Sequence, residues 1–274
     1  MNNPEQLKEK VHDFWNEASC GEELFLKGAD SREQFQNQQK RRYELEPYIF
    51  DFAQFGLHHN KKVLEIGVGL GADHQQFAAS GCELHGCDLT ERAIENTSRR
   101  LHLFGLKSNL IVADAENLPY ADKSFDLVYS WGVIHHSPDT PRAVAEIYRI
   151  LKPGGETRIM IYHTYSMVGF MLWFRYALLT GKPFRSLSYI YAHYLESPGT
   201  KAYRIDEAKK MFNVFSDVHI SIEYSHGDLL SKEAGQRHRG LLLTLAQRLY
   251  PAGLIRKIFP KYGLFMLIRA QKNS

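Results

Sequence analysis

The sequence lacks the marks of a secreted, membrane-spanning or nucleic-acid-binding chain. Its three cysteines, Cys20, Cys82 and Cys87, include no CxxC pair, so it encodes no obvious disulfide framework or thiolate metal site. Cys82 and Cys87 fall in a predicted strand, where cysteine behaves as a small hydrophobe. A reduced, cytoplasmic setting is therefore expected. Neither sign of charge dominates, because 34 basic residues oppose 31 acidic ones for a net charge of +3. Without a concentrated basic face, no nucleic-acid partner is expected. The longest apolar stretch, 167–179, is interrupted by Arg175 and falls short of the roughly 20 residues that cross a bilayer. The opening MNNPEQLKEKVHDFW has no apolar leader segment, so the chain is expected to begin at or near Met1. Internal repeats and low-complexity tracts are absent as well.

What is present is enough apolar sequence to bury a core. At 274 residues with 44% hydrophobic and 24% charged residues, the simplest organisation is one core domain with additions. From Val63 to Tyr162 short apolar runs alternate with helical patterns, the signature of βαβ units and a parallel sheet. Strands are predicted at 62–66, 83–87, 109–112, 125–130 and 156–162, with final strands at 217–222 and 263–270. Crossover helices are predicted over Glu91–Phe104, capped by Thr90, and Thr140–Leu151, ended by Lys152-Pro153-Gly154-Gly155. Helical patterns over 5–17 and 31–55 suit an N-terminal cap, 1–60. The core is expected over 61–163 and 201–274. An aromatic-rich insertion, 164–200, would cover substrate.

The segment KKVLEIGVGLGADHQQFA sets an apolar strand directly before Gly67, Gly69 and Gly71, and a helix directly after. Glycine there permits positive φ and close approach of a ligand to the backbone. G-x-G-x-G spacing alone fits a dinucleotide site or a plain tight turn equally well. Three acids decide between them. Glu65, two residues before the first glycine, suits a cationic ligand and would repel a pyrophosphate. Asp88 ends the next strand about 20 residues on, where a carboxylate accepts from ribose hydroxyls. Asp114 closes the third strand in VADAENLP, within reach of an adenine amino group.

These residues resemble the class I S-adenosylmethionine-dependent methyltransferases, in particular the small-molecule branch that includes ubiquinone and menaquinone biosynthesis enzymes. The resemblance covers about residues 60–165, with LKPGG at 151–155 matching the turn before the fifth strand. It implies a Rossmann-like α/β fold with a mostly parallel seven-stranded sheet and an antiparallel last strand. It also implies S-adenosylmethionine as cofactor, leaving as S-adenosylhomocysteine. By this resemblance Glu65, Gly67, Gly69 and Gly71 face the methionyl part, Asp88 the ribose, and Leu89, Asp114 and Ala115 the adenine. The loop from Ser130 to His136 would face the reacting methyl. Tyr43, in the cap segment RRYELEPYI, is expected to reach the methionyl carboxylate or to pack between helices.

Methyl transfer from a sulfonium is an in-line displacement, so alignment and desolvation supply much of the rate. A base is needed only if the acceptor must lose a proton. His135 and His136, in YSWGVIHHSPD, are candidates for it. Adjacent side chains seldom point the same way, so one of them, His136 for preference, is expected to face the cavity. The alternative is a structural pair with satisfied rings. No carboxylate stands at ligand spacing to them, so no metal is expected. Tyr162 and His163, at the end of the fifth strand, point to opposite faces, and at most one of them would meet the acceptor. Cys20 has no paired base to make it a nucleophile.

The aromatic stretch 164–200 suits an apolar lid over a greasy or aromatic acceptor, with Arg175, Lys182 and Arg185 able to meet an acidic group; helix packing or a homodimer interface would use the same residues. Methylation of a small molecule is the leading expectation. RNA or protein methylation, or a non-transferase that keeps the cofactor site, are the alternatives. SWGVIHH lacks the Asn/Asp-Pro-Pro-aromatic motif with which many nucleic-acid enzymes present a base.

Overall fold

A computed structural model describes residues 3–26, 31–230 and 252–274. Seven strands form one sheet: β1 (Lys62–Ile66), β2 (Glu83–Asp88), β3 (Asn109–Val112), β4 (Phe125–Trp131), β5 (Leu151–Tyr162), β6 (Ser216–Glu223) and β7 (Phe265–Gln271). Their order is β3-β2-β1-β4-β5-β7-β6. The pairs among β1 to β5 are parallel, whereas β7 runs antiparallel to β5 and β6. This is the expected Rossmann-like α/β sheet with its antiparallel last strand. The chain between the last two strands includes 231–251, which lies outside the described residues.

Central strands buried on both faces read as continuous apolar runs, and KVLEI and FDLVYSW do so. On one face Leu64, Val128 and Ile159 pack against Val144 and Ile147 of α7 (Thr140–Ile150) and Phe212 beyond α10 (Ile205–Met211). On the other, Val63, Leu127 and Tyr129 meet Phe52 of α4 (Ile49–Ala53) and Phe77 of α5 (Ala72–Ala79). Helix α6 (Glu91–Phe104) starts on the Thr90 side chain, which accepts from Ala93 N–H, and stops at Gly105 with φ 67°.

The N-terminal cap holds α1 (Pro4–Glu17), α2 (Glu22–Phe25) and α3 (Arg32–Leu45). The helical pattern expected over 31–55 is broken in two, since Glu46 precedes Pro47 and leaves the helical region at φ −129°, ψ 59°. The fifth strand also begins earlier than expected, at Leu151. The Lys152–Gly155 turn is retained as an irregularity inside it, where Phe125 pairs with Leu151 and Leu127 with Glu156. The stretch 164–200 holds α8 (Met167–Trp173), a π turn over Phe174–Leu178 and α9 (Leu187–Tyr194). A last helix, α11 (Ala252–Ile258), precedes β7. No helix among the described residues is long and apolar enough to cross a membrane.

Candidate active site

Strand order reverses between β1 and β4, which opens a crevice at the carboxyl ends of the strands, where open α/β sheets bind ligands. A cavity of about 1630 Å³ fills it. Its floor is the loop after β1 and the ends of β2, β4 and β5, and the cap helices and α8 wall it above. Glu65, Gly67, Gly69, Gly71, Asp88, Leu89, Asp114, Ala115, His136 and Tyr162 all line it. Tyr43, Ser130, His135 and His163 do not.

The glycines of the loop do different jobs. A side chain at Gly67 would run into Val133 of the β4 loop, with 2.0 Å between its Cβ and a Val133 methyl. Gly69, at φ 50°, faces open space, so a ligand can come directly against the backbone there. Its N–H donates to Asp88 Oδ2 at 3.2 Å, while Thr90 N–H and hydroxyl donate to Asp88 Oδ1 at 3.0 and 2.9 Å. The strand-end acid is thereby held in one orientation, and burial raises its pKa.

Glu65 departs from the sequence expectation of a negative charge. Its Oε2 lies 2.8 Å from His74 Nδ1, with both side chains buried. Ser108 spends its hydroxyl proton on Leu84 C=O and must accept from His74 Nε2–H. Burial drives the His74 pKa down to about 3, so the ring is neutral and Nδ1 carries a lone pair. Burial and the charge of Asp73 push the Glu65 pKa well up, which favours the arrangement with the shared proton on the Glu65 carboxyl, at the wall of the cavity.

Asp73, just inside α5, was not singled out in the sequence, yet it gathers the donors of the site wall. It accepts from Arg42 Nε and Nη2 at 3.0 and 2.7 Å, from Tyr129 OH at 2.8 Å and from Tyr43 OH at 3.0 Å. Burial alone would raise its pKa, but the Arg42 guanidinium more than offsets this and holds it below the usual carboxylate value. The Tyr43 hydroxyl is therefore committed to Asp73 and to Ala72 C=O, and it joins the cap to α5 instead of reaching into the cavity. Beside Arg42, buried Glu46 has one oxygen without a hydrogen bond, and burial pushes its pKa up to about 7. Asp114 is also engaged, by Lys8 of α1 at 2.5 Å and by Glu116 N–H at 2.9 Å.

At the other end stand the histidines. His136 opens on the cavity, with its Nδ1 2.8 Å from Ser197 Oγ and 3.2 Å from Thr200 Oγ1. Thr200 donates its hydroxyl proton to Ser197 C=O, and Ser197 Oγ, the closer partner of Nδ1, can either donate to the ring or accept from it. Nε2 faces Glu196 Oε2 at 3.4 Å, and Tyr162 OH donates to the same oxygen at 2.8 Å. No carboxylate stands at ligand spacing to the histidine pair in the sequence, but the fold brings one to it. Glu196 arrives from sixty positions down the chain, and donor atoms of His135, His136 and Glu196 lie within 4.8 Å of one another.

His135 is fully buried against the Tyr162 ring, with centroids 4.0 Å apart, and burial lowers its pKa strongly. His163 turns away from the cavity. Its Nδ1 meets Gly263 C=O at 3.3 Å and its backbone bridges Tyr203, so it secures the sheet edge. Ser130 is buried inside β4. Cys20 is an exposed free thiol at the cavity wall.

A family model described as a methyltransferase domain matches residues 64–159. Over those residues the chain is similar to methyltransferases. Phosphoethanolamine N-methyltransferase 2 of Caenorhabditis elegans is 37% identical over 102 residues, which is 36% of this chain and 23% of that protein. A phthiotriol/phenolphthiotriol dimycocerosates methyltransferase of Mycobacterium leprae is 38% identical over 97 residues, 35% of each chain. The matched segments span about a quarter to a third of these relatives' own length. Among solved structures, Haemonchus contortus phosphoethanolamine N-methyltransferase 2, in complex with phosphomonomethylethanolamine and S-adenosylhomocysteine, is similar in fold. It matches at TM-score 0.55 and 19% identity, over 90% of this chain and 61% of that one.

Proposed function

We propose that this chain transfers a methyl group from S-adenosylmethionine to a small apolar or aromatic molecule. One observation carries the proposal: a single cavity runs from the glycine loop, Asp88 and Asp114 to His136, Tyr162 and Glu196. At about 1630 Å³ it exceeds the roughly 300–1,000 Å³ of a one-ligand pocket, so it has room for donor and acceptor together. The residues suit that donor. Asp88 is oriented to accept from ribose hydroxyls, Gly69 leaves the backbone open, and Glu65 and Glu46 offer carboxyls to a cation. When bound, the donor supplies a methyl on a positively charged sulfur that departs as a neutral thioether.

The chain itself supplies position and a base. His136 is the base that takes the acceptor's proton, and Glu196, whose Oε2 lies 3.4 Å from Nε2, steadies the imidazolium that results. Tyr162, held protonated by burial and by Glu196, fixes that carboxylate. Apolar walls from Trp15, Phe170 and Leu172 exclude water from the transfer. The three free cysteines agree with a reducing compartment, proposed to be the cytoplasm. No nucleic acid is assigned as partner.

Calorimetric titration with S-adenosylmethionine and, separately, with NAD tests the donor; binding of the first alone is expected, and binding of NAD alone would overturn the reading. Replacing His136 by Ala should slow turnover while leaving donor affinity intact. Normal turnover of the variant across a panel of apolar acceptors would retire the base.

A further inference from the structure

We propose that the outer face of α8, its π turn and α11 is a docking surface for an anionic lipid bilayer. The face is apolar where a soluble surface would be polar. Phe184 is 100% exposed, Leu179 68%, Ile258 55%, Leu254 54% and Phe174 51%. Scattered apolar residues are ordinary, but these gather on two adjoining segments. Tyr262, just after α11, joins them: its C=O accepts from Met167 N–H at 2.9 Å, and its ring lies 6.0 Å from that of Phe170.

Charge names the occupant. Residues 167–194 and 252–262 contain no Asp or Glu, while Arg175, Lys182, Lys257 and Lys261 in them are exposed; Arg256, also exposed, faces Glu223 of β6. Exposed apolar tips ringed by cations of one sign are the composition of an interfacial membrane anchor. Each cation near an anionic leaflet strengthens binding roughly fivefold. A protein partner would more often be met by mixed charge, and a second copy of the same face would set cation against cation.

The surface is continuous with the cavity. Phe170, Phe174, Arg175 and Leu179 belong to the cavity wall as well, so an amphiphile leaving the bilayer would pass into the chamber between them without crossing water. That last point rests on the methyl-transfer reading; the docking itself does not.

The experiment is co-sedimentation of the full chain with vesicles of phosphatidylcholine alone and with equimolar phosphatidylcholine and phosphatidylglycerol. The wild type is expected to pellet with the anionic vesicles at least tenfold more strongly, and to be released by high salt. Phe184→Asp with Ile258→Asp should abolish pelleting. Lys257→Glu with Lys261→Glu should weaken it at least tenfold. Titration of each variant with S-adenosylhomocysteine reports the donor site separately, and an unchanged affinity shows that the fold is retained. Equal pelleting with neutral vesicles, no pelleting with anionic ones, or unaltered pelleting of both variants overturns the proposal. So does a concentration-dependent dimer in sedimentation equilibrium that Phe184→Asp dissolves, which would assign the face to a second copy.

Discussion

Asp88 and Glu65 are both acids at strand ends, yet the fold gives them different chemistry. Asp88 is tied by Gly69 N–H and Thr90, and its carboxylate oxygens retain lone pairs toward the cavity. Asp88→Ala is expected to weaken donor binding by about 1–3 kcal/mol, the worth of charge-assisted hydrogen bonds to two hydroxyls. Calorimetry measures it, and an unchanged affinity would take Asp88 out of the site. Glu65, favoured to hold the shared proton, is faced by His74 and Asp73 of α5, Asp88 of β2, Arg42 of α3 and Arg100 of α6. A cation arriving beside it favours the ionised carboxyl, so donor binding should release a proton near neutral pH. In calorimetry the apparent enthalpy would then vary with the ionisation enthalpy of the buffer. A flat dependence would show that Glu65 keeps its proton.

At the scale of elements, helices α1 to α3 of the cap are latched to the core by polar contacts, while α4 packs on the sheet through Ile49 and Phe52. Helix α3 is polar along its length, and only Phe35 and Gln38 are buried in it. What holds it is Arg42 on Asp73, together with Arg100 of α6, which donates to Gln38, to Phe35 C=O and to Leu70 C=O of the glycine loop. Helix α1 adds Lys8 on Asp114 and Glu116, and α2 adds Glu22 on Arg92. Removing one partner of a buried pair leaves the other uncompensated, at a cost of about 3–5 kcal/mol. Arg42→Met should therefore lower the melting temperature and expose residues 1–60 to protease before the core is cut. Simultaneous cleavage of cap and core would mean that the latch does not set cap stability. The connection is only half legible in the sequence: RRYELEPYI is dense in functional groups, but Asp73 looks like an ordinary acid in the first turn of a helix.

For the whole molecule, the cavity makes stability depend on pH in two opposite ways. Glu46 is faced by Arg42, Asp73, Trp131 and Glu196. Its folded carboxyl keeps the proton up to about pH 7, whereas the ordinary value is 4.5. Between these limits the folded state binds more protons, so stability falls as pH rises, by about 3 kcal/mol at most. None of this cost is felt below the lower limit, and all of it above the upper one. Glu46→Gln should flatten the slope in urea unfolding measured across that window, and an identical slope in the variant would exclude Glu46. Asp73 acts in the reverse sense. Its pKa is depressed by Arg42, so its contribution is present above the usual carboxylate value and is lost as pH falls through the folded one.

The succession of strands and crossover helices along the chain, the glycine loop and the acids at 65, 88 and 114 could be read from the sequence, because each depends on residues near one another in the chain. Apolar periodicity sets strands and crossover helices, caps such as Thr90 set their ends, and short βα connections put successive acids on one edge. Glu196 beside His136, Asp73 under Arg42 and the proton between Glu65 and His74 could not be read in that way. Each depends on side chains from separate elements meeting in a buried place, where desolvation decides which of them carries charge. Local pattern determined the proposed donor end of the site; the proposed acceptor end, and the protonation of both, were decided only when α3, the segment after α9 and the strand ends closed on one cavity.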